Sequence, residues 1–483
     1  MTYQIPDIRL FHFLPFLVLG VSGLLTLILT AVPGRRVQRS LPRLTLVLLA
    51  VTALTFALTA LSSVETSFGG MLRTDAVAIW FGLVLVLATA LTVALAARHF
   101  RELGAQHFEL YPLLLLCCLG MCLMAAAGHL IIIFIGLELM SVALYIMAAM
   151  AGRRALSSNE AALKYLLLGA FATGFTVYGM AMVYGSTGTL DLLGINTSLE
   201  ASQYHAGYMR VGLALLTIGL GFKVALVPFH MWAPDVYDGS PTVVTTFMSV
   251  GPKIAGFAAL WRVLVFAAEP LSTEWQPVLA VLAVVTMLVG NLAALTQTNI
   301  KRLLAFSSIA HAGYLALGVM SASQMGLQGL LYYSLLYTFL SVAAFTVVLV
   351  ACGDSNDRLN IEELSGLGKR QPLAALCLAV ALIAMAGIPP FSGFVGKFLL
   401  FASAVRAGQV LAAVVGILCS IISVYYYFRL IVLMYMQPAA EEKPAIQLSP
   451  WTRWVLWATL AGTIVLSWPF GTPLVTLAGL LAG

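Results

Sequence analysis

The chain has 483 residues, 61% of them hydrophobic and 9% charged, with a net charge of +6 and a mean hydropathy of +0.99. A water-soluble domain carries about 25% charged residues, so this composition cannot cover a surface facing water, and lipid must be the main solvent. The modest positive charge reads as loop lysines and arginines facing anionic lipid, which excludes a nucleic-acid footprint.

An apolar stretch of about 20 residues crosses the hydrocarbon core as one helix. About fourteen such spans are predicted, over 12–32, 42–62, 75–97, 108–127, 129–150, 160–185, 208–232, 242–265, 276–296, 303–322, 327–352, 372–402, 407–436 and 452–477. The expected fold class is an all-α membrane protein with short connections. The first span is too long for a signal-peptide core, and its basic cluster follows it, so a cleavable leader is not expected. Loops after odd-numbered spans hold Arg35, Arg36, Arg39, Arg43, Arg98, Arg101, Arg153, Arg154, Lys301, Arg302, Arg358, Lys369, Arg370, Lys443 and Arg453. Loops after even-numbered spans hold only Arg73, Arg210, Arg262 and Arg406. The positive-inside rule then puts the odd loops in the cytoplasm and both termini outside.

The cysteines Cys117, Cys118, Cys122, Cys352, Cys377 and Cys419 lie in or beside apolar runs and form no CxxC pair. They read as small packing residues, and no iron–sulfur cluster or other metal site is expected in this chain. The fifth span, LIIIFIGLELMSVALY, carries Glu138 near its middle, and the sixth carries Lys164 one turn from its start. The seventh, GLGFKVALVPFHMWAPD, holds Lys223, Pro228 and His230. In the eighth, Lys253 sits about eleven residues from either end, roughly 16 Å from each interface at 1.5 Å per residue. A lysine cannot snorkel that far. His311 lies in the tenth span, Lys397 follows Pro389 and Pro390 in the twelfth, AMAGIPPFSGFVGKF, and Arg429 lies in the thirteenth.

A charge at the bilayer centre costs about 2.5–3.5 kcal/mol on insertion scales. Glu138, Lys164, Lys223, Lys253 and Lys397 are therefore candidate proton carriers. Burial lowers a lysine's proton affinity and a nearby carboxylate raises it, so a Lys–Glu pair that forms and breaks switches a proton between held and released. His230 and His311 are candidates to bridge such sites, since imidazole titrates near neutrality. Arg429 reads as a packing or interfacial residue, because a guanidinium does not deprotonate in proteins.

Proline frees a backbone carbonyl, which is tolerated at membrane depth only where protein or a wet cavity satisfies it. Breaks are predicted near Pro228 and Pro389–Pro390. They fall in the fourth member of two successive five-helix blocks, spans four to eight and nine to thirteen. Five is odd, so the second block starts on the opposite face, as in an inverted-topology repeat. The resulting division is 1–105, 106–268 for the first repeat, 269–440 for the second, and 441–483.

The segments GFKVALVPFHMWAPDVYDGSPT, QTNIKRLLAFSSIAHAGYL and AGIPPFSGFVGKF resemble the antiporter-like membrane subunits of respiratory complex I. WAPDVYDGSPT is most similar to the N-type branch of that family. The chain stops without the long lateral helix of L-type subunits, and it has Lys397 where M-type chains typically have glutamate. The resemblance implies one proton-pumping module of an NADH:quinone oxidoreductase. Glu138 and Lys223 match the family's charge pair, Lys164 a lysine close to that pair, Lys253 the central lysine and Lys397 the terminal one. It also implies M-, L-, K-, J- and A-type partner subunits in a bacterial inner membrane, with NAD, FMN, iron–sulfur clusters and quinone on partners and no cofactor in this chain. No nucleotide-binding glycine motif or phosphate loop argues otherwise. A cation/proton antiporter of the same fold and a structural membrane anchor are the alternatives. The anchor leaves the costly central charges without a reason.

Overall fold

A computed structural model describes residues 8–32, 35–62, 64–102, 107–150, 155–352, 360–438, 447–467 and 471–482. The chain opens with α1 (Leu10–Ala31) and α2 (Arg35–Thr59). An antiparallel hairpin follows, β1 (Glu65–Ser67) and β2 (Leu72–Thr74), pairing Glu65 with Thr74. Next come α3 (Ala76–Glu102), α4 (Leu110–Ala125), α5 (Leu130–Ala149), α6 (Ala155–Thr187) and the short α7 (Leu192–Glu200). The middle of the chain forms α8 (Ala206–Val224), α9 (Trp232–Gly239), α10 (Thr242–Leu260), α11 (Ser272–Leu295), α12 (Ile300–Met320) and α13 (Gln324–Cys352). The last part forms α14 (Leu367–Arg370), α15 (Pro372–Ala386), α16 (Ser392–Arg406), α17 (Val410–Met436), α18 (Pro450–Val465) and α19 (Thr472–Ala482). Among the described residues, eleven helical stretches have the length and apolar composition to cross a membrane.

A helix that is apolar all round belongs inside other helices. Every residue of α10 is buried, and nearly all of α12 is. With α13 they form the axis of the bundle, while α1, α2 and α17 turn leucines, valines and isoleucines outward. Without a hydrophobic drive between helices in lipid, close approach depends on small residues. The contact of α4 with α5 is one case: a Cβ on Gly120 would lie 2.5 Å from the Gly136 carbonyl oxygen.

The seventh predicted span covers α8 and the break after it at 225–231, with α9 beginning at its end, and the twelfth is two helices, α15 and α16, separated at 387–391. Both breaks begin with a left-handed residue, Ala225 (φ 59°) and Gly387 (φ 82°). The fourteenth predicted span is likewise divided, into α18 and α19, and α10 runs on through a π-turn at Trp261–Ala267. The hairpin and α7 are too short to leave an apolar pattern in the sequence, and neither was expected.

Arg262 is not a loop charge. It lies in the π-turn, 2% exposed, with two guanidinium nitrogens each 2.6 Å from the Asp75 carboxylate and Nε donating to the Ala125 carbonyl at 3.0 Å. Asp75, just before α3, also accepts from Arg73 Nε at 2.9 Å and from the Ala78 amide at 2.9 Å. Burial alone would raise its carboxyl, but the Arg262 charge and hydrogen bonds, the Ala78 amide and Arg73 together hold it below the usual carboxylate range. The clamp ties α3 and α4 to the end of α10.

Candidate functional site

The first charged position forms on α5. Glu138 and Tyr145 are seven residues apart, about two turns, so they share a helix face. The Thr173 hydroxyl on α6 donates to Glu138 Oε1 at 2.7 Å. Lys223, 2% exposed in the last turn of α8, donates from Nζ to the Tyr145 hydroxyl at 3.2 Å. Its ammonium lies 5.5, 5.8 and 5.3 Å from the ring centres of Tyr145, Tyr165 and Phe222, within cation–π range. Glu138 and Lys223 form no ion pair within 4.0 Å. The Tyr145 hydroxyl accepts from the lysine and retains its own proton, while Glu138 is held separately by Thr173.

The break after Lys223 leaves α8's last carbonyls without helical partners. The chain satisfies them locally: the Leu226 amide donates to Gly221 O at 2.9 Å and Trp232 Nε1 to Phe222 O at 2.9 Å. A lysine at this end also meets the negative pole of the helix dipole. His230 lies in the break, and its buried Nδ1 has no hydrogen-bond partner among the described residues.

Lys253, 2% exposed, lies in the middle of α10 and donates to both the backbone carbonyl and the hydroxyl of Ser308 on α12. Tyr337 on α13 donates to the same hydroxyl at 2.8 Å, and its ring centre is 5.6 Å from the ammonium. Pro252, beside this lysine, cannot donate to the carbonyl four residues back. That carbonyl, on Met248, accepts instead from the Tyr237 hydroxyl at 3.2 Å.

One turn beyond Ser308 on α12, His311 is 1% exposed. Its Nδ1 pairs with the Tyr333 hydroxyl at 2.7 Å and its Nε2 with the Tyr427 hydroxyl at 3.1 Å. Tyr427 pairs in turn with Ser307. Both ring nitrogens thus meet hydroxyls, which donate or accept as the tautomer requires.

Lys397, 3% exposed and in the second turn of α16, reaches back to the end of α15. It donates to Met385 O at 2.8 Å, Ala386 O at 3.3 Å and Ser420 Oγ at 2.8 Å. The break creates these acceptors, since helix-terminal carbonyls lack intrahelical donors. Gly393 lets the two half-helices approach: a Cβ there would meet Ala384 O at 1.6 Å. The Tyr314 ring centre lies 4.6 Å from the Lys397 ammonium. A groove of about 660 Å³ opens along Phe394, Phe398 and Phe401 to this lysine.

Lys164 lies elsewhere. Its ammonium binds Glu160 at 2.8 Å and Asp235 at 3.1 Å, with the side chain 44% exposed. Lys301, expected in a loop, is fully buried and donates to the Ser240 carbonyl at 3.1 Å. Arg429 lies 3.8 Å from Glu362 in a half-exposed pair. Sequence reading passed over Tyr145, Ser308, Tyr337, Tyr333 and Tyr427. Only Tyr145 had a local signal, its two-turn spacing from Glu138.

Lys223, Lys253 and Lys397 are thus almost wholly enclosed, lack any described carboxylate within ion-pair distance, and are held by hydroxyls, carbonyls and rings. A neutral lysine tolerates such a setting as readily as a charged one, so these positions suit proton exchange more than structural pairing.

Known proteins share the sequence and the fold of this chain. The family described as NADH:quinone oxidoreductase/Mrp antiporter, TM, matches residues 127–423. A protein of Trichlorobacter lovleyi named NADH-quinone oxidoreductase subunit N is 43% identical over 89% of this chain and 88% of its own. One of Solibacter usitatus named NADH-quinone oxidoreductase subunit N 1 is 40% identical over 94% of this chain and 93% of its own. A chain of respiratory complex I from Thermus thermophilus superposes with a TM-score of 0.80 at 38% identity, covering 97% of this chain and 98% of that one. The fold alone is shared with a chain of a Dietzia Mrp complex, TM-score 0.85 at 23% identity over 98% and 97% of the two. The chain belongs to the NADH:quinone oxidoreductase/Mrp antiporter transmembrane family.

Proposed function

We propose that this chain is a proton-translocating membrane subunit of NADH:quinone oxidoreductase, coupled to quinone reduction on other subunits. The observation that carries the reading is the series of three enclosed lysines without acid partners among the described residues, each set against hydroxyls that can pass a proton. Glu138 and Lys223 form the first station, with the Tyr145 hydroxyl on the lysine and the Thr173 hydroxyl on the carboxylate. Lys253 is the central station, His311 with its two tyrosines is the bridge, and Lys397 is the terminal station. Lys164 serves the cytoplasmic end of the path, and His230 lies at its margin.

The architecture behind this is about fourteen spans in two inverted five-helix repeats, with boundaries near 106–268 and 269–440. The matching left-handed residues that open both breaks support it. The chain belongs with M-, L-, K-, J- and A-type subunits in a bacterial cytoplasmic membrane, with both termini outside. NAD, FMN, iron–sulfur clusters and quinone bind to partner subunits. A cation/proton antiporter is the alternative for the shared fold.

The test is Lys253→Met in the complete complex, reconstituted into vesicles. Methionine keeps volume and removes the titratable amine. Assembly is expected to hold and protons pumped per electron pair to fall. Normal assembly with an unchanged ratio would refute the role of Lys253, and cation movement in exchange for protons without redox input would favour the antiporter.

A further inference from the structure

The acids of WAPDVYDGSPT do no work in the path above, yet they hold α9 in place. Asp235 Oδ1 accepts from Arg302 of α12 at 2.7 Å, and its Oδ2 accepts from Lys164 of α6 at 3.1 Å. Asp238 accepts from the Asn299 side-chain amide at 2.9 Å, and the Ser240 carbonyl accepts from Lys301 at 3.1 Å. The first turn of α12 and the residue capping it therefore grip both acids and the carboxyl end of this half-helix. At its other end, Trp232 stacks on Tyr165 with ring centres 4.6 Å apart, and Tyr165 packs edge-on against Tyr145 at 4.8 Å. Those two tyrosines wall the Lys223 ammonium. Farther along, α12 carries Ser308, which holds Lys253, and His311. The helix α9 thus touches the wall of one lysine site and the helix that builds the next.

We propose that Asp235 is a positioning residue for proton transfer: by bridging Lys164 and Arg302 it fixes α9 between α6 and α12, and so sets the register of the Lys223 site relative to the Lys253 site. The inference rests on the proton-translocating reading above. The bridge is not there for stability. Lys164, Asp235 and Arg302 are 44%, 40% and 33% exposed, and exposed ion pairs contribute little to folding. A small displacement of a donor or acceptor does matter for transfer, which needs aligned groups at hydrogen-bond distance.

The experiment uses the complete complex in vesicles, reading protons per electron pair beside quinone-reduction rate, assembly and thermal midpoint. Asp235→Asn should assemble with an unchanged midpoint and lose about two-fold or more of this subunit's pumping contribution, the lower range for couplings carried through packed elements. Asp235→Glu should restore most of it. Arg302→Gln should reproduce the loss, and Asp235→Asn with Arg302→Gln should be no worse than either alone, since both cut one bridge. A wild-type ratio in Asp235→Asn overturns the proposal, as does a loss that appears only together with a lowered midpoint. Should Asp235→Asn fail to assemble, Arg302→Gln carries the same two outcomes. Lys253→Met separates the levels: if it pumps normally the relay role of Lys253 on which this proposal rests fails, and if it abolishes pumping while Asp235→Asn does not, only the positioning role fails.

Discussion

Cutting the Arg262–Asp75 clamp should harm folding unequally from its two sides. Arg262 is 2% exposed and spends three nitrogens, two on Asp75 and one on the Ala125 carbonyl. Asp75→Asn removes the counter-charge and leaves the guanidinium buried with neutral acceptors only, the Ala125 carbonyl and the amide oxygen of the new side chain. Breaking a buried ion pair from one side costs about 3–5 kcal/mol, and this substitution should fall there. Arg262→Met removes the other partner, but Asp75 keeps Arg73 at 2.9 Å and the Ala78 amide at 2.9 Å. Its charge stays compensated, and methionine fills much of the vacated space, so the cost should be near the value of lost charged hydrogen bonds, about 1.5–3 kcal/mol. The double substitution leaves no unpaired buried charge and should be no worse than Asp75→Asn alone. The assay is unfolding of the detergent-solubilised protein across a denaturant series. A cost for Arg262→Met at or above that for Asp75→Asn, or a double variant equal to the sum of both, would refute the reasoning.

Acid should dissolve the same clamp. Asp75 is held below its ordinary value when folded, so its contribution is present in full above about pH 4 and is lost as pH falls through the depressed value; Asp75→Asn should lack that step in stability measured against pH. Tyr145→Phe keeps the ring beside Lys223 and removes the hydroxyl that accepts from it at 3.2 Å; protons per electron pair should fall by at least half while assembly, followed by native gels, holds. Gly393→Ala places a methyl 1.6 Å from the Ala384 carbonyl oxygen, which has no room to yield; the junction of α15 and α16 should open, and the subunit should be absent from purified complex.

The membrane class, the candidate charges and both helix breaks were legible because each is a local cost. Lys253 sits too far from either interface to snorkel, and prolines at 228 and 389–390 interrupt apolar helices wherever they are packed. Insertion cost marks a charge as unusual without telling what compensates it. Hence Arg262 and Lys301 passed for loop charges, although one closes on Asp75, 187 residues away in sequence, and the other on Ser240, 61 residues away. Lys164 matched a lysine beside the Glu138–Lys223 pair, yet its ammonium meets Glu160 and Asp235.

What the amino-acid order determined by itself is therefore where helices run, where they break and which residues are expensive in lipid, since those depend on hydropathy and backbone chemistry within a few turns. The hydroxyls around the lysines were decided only by tertiary packing. Ser308, Tyr333, Tyr337 and Tyr427 come from α12, α13 and α17 and meet Lys253 or His311 because α10 and α12 are enclosed on all sides. A serine or tyrosine carries too small an insertion cost to stand out in an apolar segment. It becomes a hydrogen-bond partner only when packing brings a buried lysine or imidazole from another helix against it.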